Sequence, residues 1–509
     1  MKNRKTEREL LGQISRLKGQ LAKERRRNQK LEAENERLRE RLKWQRQQKW
    51  GRRSERMAPR KKAEKKRPIK LTKIAASGPR QRKGPKRFDP KLPRVVLKVD
   101  DPSAAERTCP DTGQPMQPAK TEAIEVLACV PAYYYVARYE RTLWVSPAKC
   151  APVYSPWPDE VFGPSRAHAS LLAHIAAERF GLHQPYHRLE KHAQRRGAHL
   201  ARSYQVSLMK LLDKTVTRLV AEIKAEVMRH RYLHVDATPV PACDPAQPGQ
   251  TSETTIWTFQ AHGGPVWYQH EHDHGKSPRH PDKTLREANF AGKVQADGAA
   301  GLNQIGQRGK VTAYGCAAHC RRPFYRAYDA GELQAAPYLT GINRLFRIDR
   351  LASHFRLSRG SKEKLRKKYS LPLFRALVAR ARRERPKVAP NLLLGQAIGY
   401  LLKQRIYLER CIKDPEADLS NNAAERSIRG LKIGARNWLH LGHPSGGPRL
   451  ANLFTLIQNC LDEGVDPERY LADILPRLPG HSAGRVAELL PRAWKKAQEQ
   501  ARTGQSAAA

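Results

Sequence analysis

The sequence is short of acid. Its 509 residues carry 49 Asp and Glu against 96 Lys and Arg, a formal charge of +47. A chain this one-sided repels itself at low salt unless a polyanion neutralises it, and nucleic acid is the commonest such partner. Long apolar runs are also missing: the longest, Val126 to Ala137, is too short to span a bilayer and is broken by Pro131. The opening MKNRKTEREL is charged from its second residue, so no secretory leader is expected there. Cysteine is sparse and scattered, at 109, 129, 150, 243, 316, 320, 411 and 460, and without a leader these read as reduced thiols. Together the absences argue against a membrane protein and a secreted disulfide scaffold. They leave the expectation of a soluble, cytoplasmic protein with a polyanionic partner, a merely charge-solubilised surface being the plainer reading.

What is present falls into segments, and a chain this long is expected to hold about two to four domains. In residues 1–48, Ile14, Leu17, Leu21, Asn28, Leu31, Asn35, Leu38 and Leu42 keep to one helical stripe. In the best register Leu17, Leu31 and Leu38 sit at d and the two Asn at a, which predicts a short dimerising coiled coil; a single solvated helix is the other reading. Residues 49–100 have no hydrophobic period and read as a flexible basic linker, able to follow a phosphate backbone. The first fifty residues hold 17 Lys and Arg against 7 acids and the next fifty 19 against 4, so +25 of the charge lies there and +22 beyond.

Residues 101–160 look like a small β domain, and 161–228 return to helical spacing, either a DNA-binding module or a plain helical layer. From 229 to 440, strands at Tyr232–Val240, Thr255–Ala261, Val266–His270, Lys293–Ala296 and Val311–Cys316 alternate with helices, interrupted by a basic helical insertion at about 335–412. Three strands in succession, then a strand ending in Asp297 and a helix, suit an α/β sheet of ribonuclease-H type. Residues 441–509 read as a C-terminal helical region.

Three acids stand out. Asp236 lies in the β-branched run YLHVDATPV, and Asp297 ends KVQAD, just before Gly298. A strand-end Asp is most often a turn or cap residue. The third, Glu425, lies in LSNNAAERSIRGLKIGARNWL, where Asn422 is expected to cap a helix and Glu425 to fall at its third position. Arg426, Arg429, Lys432 and Arg436 then recur as a basic ridge suited to phosphates, although an ordinary solvated helix face has the same pattern. Phosphodiester cleavage by paired hard cations needs converging carboxylates, and these three are the candidates.

Four segments, LHVDATPV, VQADGAAGLNQI, YGCAAHCRRPFYRA and SNNAAERSIRGLKIGARNWLHLG, resemble in order and separation the transposases of the insertion-sequence sixty-six family. The likeness extends to GRRSER, KRFDPKLPR, LHQPYHRLEKHAQRRGAHLARS and GVDPERYLADIL, covering most of the chain. The resemblance implies a ribonuclease-H-like domain with a DDE triad of Asp236, Asp297 and Glu425. It also implies two Mg²⁺ ions, with Mn²⁺ as a substitute, and action on double-stranded DNA at element ends and target. His319, Arg321 and Arg322 match the family's histidine-plus-basic segment, and Arg426 and Arg429 the residues after the final Glu; all five, with Lys432 and Arg436, are expected at DNA. A bacterial, nucleoid-associated protein, at least dimeric through its coil, follows from the same reading.

The sequence also departs from the family's pattern. Ala237 stands where a Glu usually follows the first Asp, Ser420 where an Asp precedes the paired Asn, and Ala317 where an aromatic is common. Each change is expected to remove a group beside the site. The family's small zinc domain is reduced to Cys109 and Cys150, with Thr112 at a ligand position, and two thiols cannot make a four-ligand zinc site. Two rivals remain: a catalytically impaired DNA-binding relic, and a coiled-coil RNA-binding scaffold that leaves the three acids unexplained.

Overall fold

The computed structural model describes residues 167–506, except 248, 273–276, 278 and 299–309, together with Glu34, 134–137, 159 and 161–162. The expected coiled coil, basic linker and small β domain, including Cys109, Thr112 and Cys150, lie outside the described residues apart from those isolated positions.

A two-residue pair of strands, β1 (Val161–Phe162) and β2 (Ala167–His168), leads into α1 (Ala169–Ala176), which runs on as a π-helical turn, Ala177–Gly181. Next come α2 (Tyr186–Gln194) and the long α3 (Arg202–Arg229). Along α3 the buried residues Leu208, Met209, Leu212, Val216, Leu219, Ile223 and Val227 recur every three or four positions, one apolar face of an amphipathic helix.

The chain then builds one five-stranded sheet. β3 (Tyr232–Cys243), β4 (Thr251–Ala261) and β5 (Val266–Glu271) form an antiparallel meander. After α4 (Arg279–Glu287), β6 (Gly292–Gln295) and β7 (Val311–Tyr314) join on the other side in parallel, giving the order β5-β4-β3-β6-β7. The middle strand, β3, is buried throughout Tyr232–Thr238, which is why its sequence reads as a continuous β-branched and aromatic run. It is longer than its sequence suggests, carrying on past Val240 through Pro241 to Cys243. Pairing with β6 stops at His234; beyond it that side of β3 meets Asn421 at Val235 O and Leu441 at Pro241 O and Cys243 N, so the missing N–H groups of Pro239 and Pro241 cost no ladder bond.

Beyond β7 the chain is helical. α5 (Ala317–Asp329), α6 (Ala336–His354), α8 (Leu371–Glu384) and α9 (Leu393–Lys413) share a core that includes Phe324, Tyr338, Leu345, Phe374 and Leu401, and α7 (Arg359–Leu365), with a π turn at Arg366–Ser370, connects α6 to α8. α10 (Asn422–Trp438) then packs on β3 and β4, followed by α11 (Gly447–Asp462), α12 (Pro467–Arg477) and α13 (Pro491–Ser506).

Helices close both sheet edges, which would otherwise offer unpaired backbone groups to other strands. At β5, Asn459 of α11 accepts from Val266 N at 3.0 Å and donates to Val266 O at 2.7 Å, while Thr455 Oγ1 accepts from Tyr268 N at 3.1 Å. At β7, α9 is tied on by Gly315 N donating to Tyr407 O at 3.2 Å. α3 packs on β5 and α11, so the segment it belongs to forms a layer against the sheet.

Candidate active site

Asp236 sits on the middle strand, buried, with its Oδ1 accepting from Ala237 N at 2.8 Å. β3 and β6 run in parallel with His234 opposite Gln295; the same register carried two residues on puts Asp236 level with Asp297. Residues level with each other on adjacent strands share a face, so the two acids belong to one side of the sheet. Asp297 lies two residues past the end of β6, and Gly298 turns the chain after it at φ +83°, a conformation that disfavours a Cβ. A Cβ there would also lie 2.5 Å from the Tyr400 hydroxyl. That close approach is used: Tyr400 donates to Asp297 O at 2.6 Å and Gln404 Nε2 to Gly298 O at 2.9 Å, so α9 grips the turn.

Glu425 lies in the first turn of α10, where the helix dipole favours an anion. One expectation fails here. Asn421, not Asn422, occupies the cap position, and its side chain makes no capping bond. It is fully buried and spent on tertiary contacts: Nδ2 donates to Val235 O at 2.9 Å, and Oδ1 lies 3.2 Å from His234 Nδ1. The backbone N–H of Asn421 also donates to Cys316 Sγ at 3.1 Å, and Ala317 N donates to Leu419 O at 2.8 Å. Helix α10 is thus pinned by its start both to β3, one residue before Asp236, and to the first turn of α5.

That turn brings two predicted basic residues to Glu425. His319 Nε2 lies 3.5 Å and Arg322 Nη2 3.9 Å from Glu425 Oε1, the second a loose ion pair. The third, Arg321, does not join them: its Nε donates to Asn343 Oδ1 at 3.0 Å and its guanidinium lies over the Tyr325 ring, turning it toward α6. Arg426, Arg429, Lys432 and Arg436 are all exposed along α10 and form the expected ridge. Ala237 is buried opposite Trp257. Alternation along β3 puts it on the other face of the sheet from Asp236, so that departure removes no neighbour of the acids.

The three carboxylates do not come within 4.8 Å of one another; among the described residues, His234, His262 and Asp418 are the group of three potential ligands that does. Close approach of three carboxylates is unfavourable without a cation among them. Burial pushes the His234 imidazole down to about 4, against the opposing pull of Asp418. Beneath the site, buried Gln295 donates to Gly315 O and Asp418 O, each at 2.8 Å. Burial raises the Cys316 thiol to about 11, so it stays a neutral packing and hydrogen-bonding group. Sequence reasoning missed Tyr400, Gln404, Gln295, His262 and Asp418, and only the paired Asn of the last motif hinted at Asn421.

A family model described as "Transposase IS66 family" matches residues 164–449, and a second, "IS66 C-terminal element", matches 455–492. The chain belongs to this family. Its curated relatives include the uncharacterized proteins y4hP and y4jD of Sinorhizobium fredii (strain NBRC 101917 / NGR234). The first is 29% identical over 64% of this chain and 62% of its own length, the second 26% identical over 81% and 82%. The chain therefore spans a little under two thirds of the length of y4hP. The family match runs from before α1 to the start of α11 and so takes in the helical layer, the sheet, the helical block and α10. Among the described residues, no helix is long and apolar enough to cross a membrane.

Proposed function

We propose that this IS66-family chain is a DDE-type transposase that cuts and joins DNA at the ends of an insertion sequence, on a ribonuclease-H-like core, with Asp236, Asp297 and Glu425 as its acids. The observation that carries the reading is the sheet order β5-β4-β3-β6-β7, three antiparallel strands followed by two parallel ones, together with where the acids fall on it. Asp236 is on the middle strand, Asp297 lies two residues past the end of the neighbouring strand, level with Asp236 if the register is carried on, and Glu425 is on the helix packed against β3.

An all-carboxylate donor set suits hard divalent cations, so the residues fit Mg²⁺ or Mn²⁺. When bound, such ions activate a water or 3′-hydroxyl nucleophile and stabilise charge developing at the phosphate. The chain's own residues do the positioning. Tyr400 and Gln404 hold the Asp297 turn, Asn421 holds the start of α10, and Arg322 offsets the charge of Glu425, beside which His319 lies. The exposed ridge of α10 offers guanidinium and ammonium groups to the DNA backbone, contacts that fix register but carry no sequence information.

The test is cleavage of duplex DNA bearing the inverted repeats that flank the gene, in Mg²⁺. Asp236→Asn and Asp297→Asn should each lower cleavage on the order of a thousandfold or more, because metal-borne stabilisation is worth several kcal/mol. DNA binding should persist. Undiminished cleavage in either variant rejects the assignment. Binding without nicking by the unaltered chain would instead identify a relic, the reading that the change at Ser420 favours.

A further inference from the structure

We infer that His234, His262 and Asp418 form a binding site for one transition-metal ion of the zinc class, separate from the three carboxylates. The inference stands whether or not those carboxylates cut DNA.

The three ligand atoms form a nearly regular triangle. His234 Nε2 lies 3.2 Å from His262 Nδ1, and each of these nitrogens lies 3.6 Å from the same carboxylate oxygen, Asp418 Oδ2. Zinc bonds of about 2.0–2.1 Å to nitrogen and about 2.0–2.2 Å to oxygen, at tetrahedral angles, set ligand atoms about 3.3–3.5 Å apart. The triangle is thus already close to one face of a zinc tetrahedron. The side chains of His262 and Asp418 are 40% and 44% exposed, which leaves an entry path and a solvent side for a fourth ligand.

The ligands are also held from behind, as metal ligands usually are. Asn421 Nδ2 donates to Val235 O, so its Oδ1 is the acceptor facing His234 Nδ1. The proton of His234 therefore sits on Nδ1, and the lone pair of Nε2 is aimed into the triangle. Tyr232 orders both imidazoles, its ring centroid 4.8 Å from that of His262 and 4.7 Å from that of His234. Its hydroxyl accepts from Asp418 N at 3.1 Å, while Gln295 Nε2 donates to Asp418 O at 2.8 Å, fixing the backbone of the third ligand on both sides.

Donor chemistry selects the ion. Two imidazole nitrogens and one carboxylate suit Zn²⁺ and its neighbours, whereas Mg²⁺ prefers six oxygens and near-octahedral geometry. A bound ion would tie the β4–β5 turn, which carries His262, and β3 to the segment just before α10. It would thereby fix the start of the helix that bears Glu425.

The competing account is an imidazole–imidazole hydrogen bond with no ion, and it predicts no uptake. Tag-free full-length protein, stripped with a chelator, is titrated with Co²⁺ as the probe. One equivalent per chain should give the intense visible absorption of four-coordinate cobalt, displaced by Zn²⁺ but not by millimolar Mg²⁺. His262→Gln and Asp418→Asn, both at half-exposed positions, should bind at least about a hundredfold more weakly and lose the band. Asp236→Asn should keep it, which separates this site from the carboxylates. Absence of the band in the unaltered chain, its persistence in both ligand variants, or its loss in Asp236→Asn would each overturn the proposal.

Discussion

The acid on the middle strand and the acid on the helix are held in different ways. Asp236 takes its position from main-chain ladders: β3 is bonded to β4 along its length and to β6 up to His234, while Asp297, two residues past the end of β6, is held at its turn by the side chains of Tyr400 and Gln404. Ladder bonds are made by any residue with an N–H and a C=O, so they tolerate much side-chain change. Glu425 instead depends on a few side chains far away in sequence. Asn421 ties α10 to β3, and Arg366 ties down the segment that leads into it. Groups that never touch Glu425 should therefore govern its placement more strongly than anything governs the placement of Asp236.

The largest test of that contrast is at Arg366. This arginine is 1% exposed within the π turn after α7, and it donates to Asp349 and to the carbonyls of Cys411, Asp414 and Ala417. Arg366→Met keeps the volume but takes the guanidinium donor from Asp349 and three carbonyls, leaving Asp349 with Lys362 at 3.8 Å and the Asp414 carbonyl with Ala417 N at 3.2 Å. Breaking a buried charged network of this kind costs about 3–5 kcal/mol. The urea midpoint should fall accordingly, and cleavage should fall further than the lost folded fraction explains. A stability change below about 1 kcal/mol would mean that the loop before α10 is held by something else.

That asymmetry also explains what was legible beforehand. The strands around Asp236 and Asp297 could be read because β-branched runs and a glycine after the acid are local signals. β3 outruns its expected end at Val240 because the loss of β6 as a neighbour, which admits Pro241, and the bridge to Leu441 are tertiary facts. The start of α10 was misjudged by one residue because Asn421 has the composition of a cap but spends its side chain across the fold. Arg366, in the basic stretch RKKYS, looks like any solvated arginine, and His262 sits in an ordinary turn sequence. Neither carries a local mark of burial or of a distant partner.

A matched pair of variants sharpens the comparison at intermediate size. Gly298→Ala forces a Cβ into a positive-φ turn against Tyr400, a strain of about 1–3 kcal/mol, at Asp297, just past the β6 ladder. Asn421→Ala leaves Val235 O, and the His234 imidazole beside it, without the buried amide, a cost of about 1–3 kcal/mol, at the helix-borne Glu425. Stability losses should be similar, as read by urea unfolding. Cleavage measured well below the unfolding transition should suffer more in Asn421→Ala, because α10 has no ladder to fall back on. Equal residual rates in the two folded variants would erase the distinction.

The smallest effect on the fold, and the cleanest on DNA, is expected from the exposed ridge. Arg429 is solvated, so Arg429→Ala should change stability by less than about 0.5 kcal/mol. If it neutralises a phosphate, it should also reduce the slope of log K against log salt for duplex binding by about one unit, with Arg429→Lys retaining most of it. Arg321→Ala is the internal control, since that side chain is turned to Asn343 and should leave the slope alone. A slope that responds at Arg321 and not at Arg429 would move the DNA path off α10 and toward the first turn of α5. Glu425 would then meet its substrate from the His319 side, and the helix ridge would be no more than a solvated face.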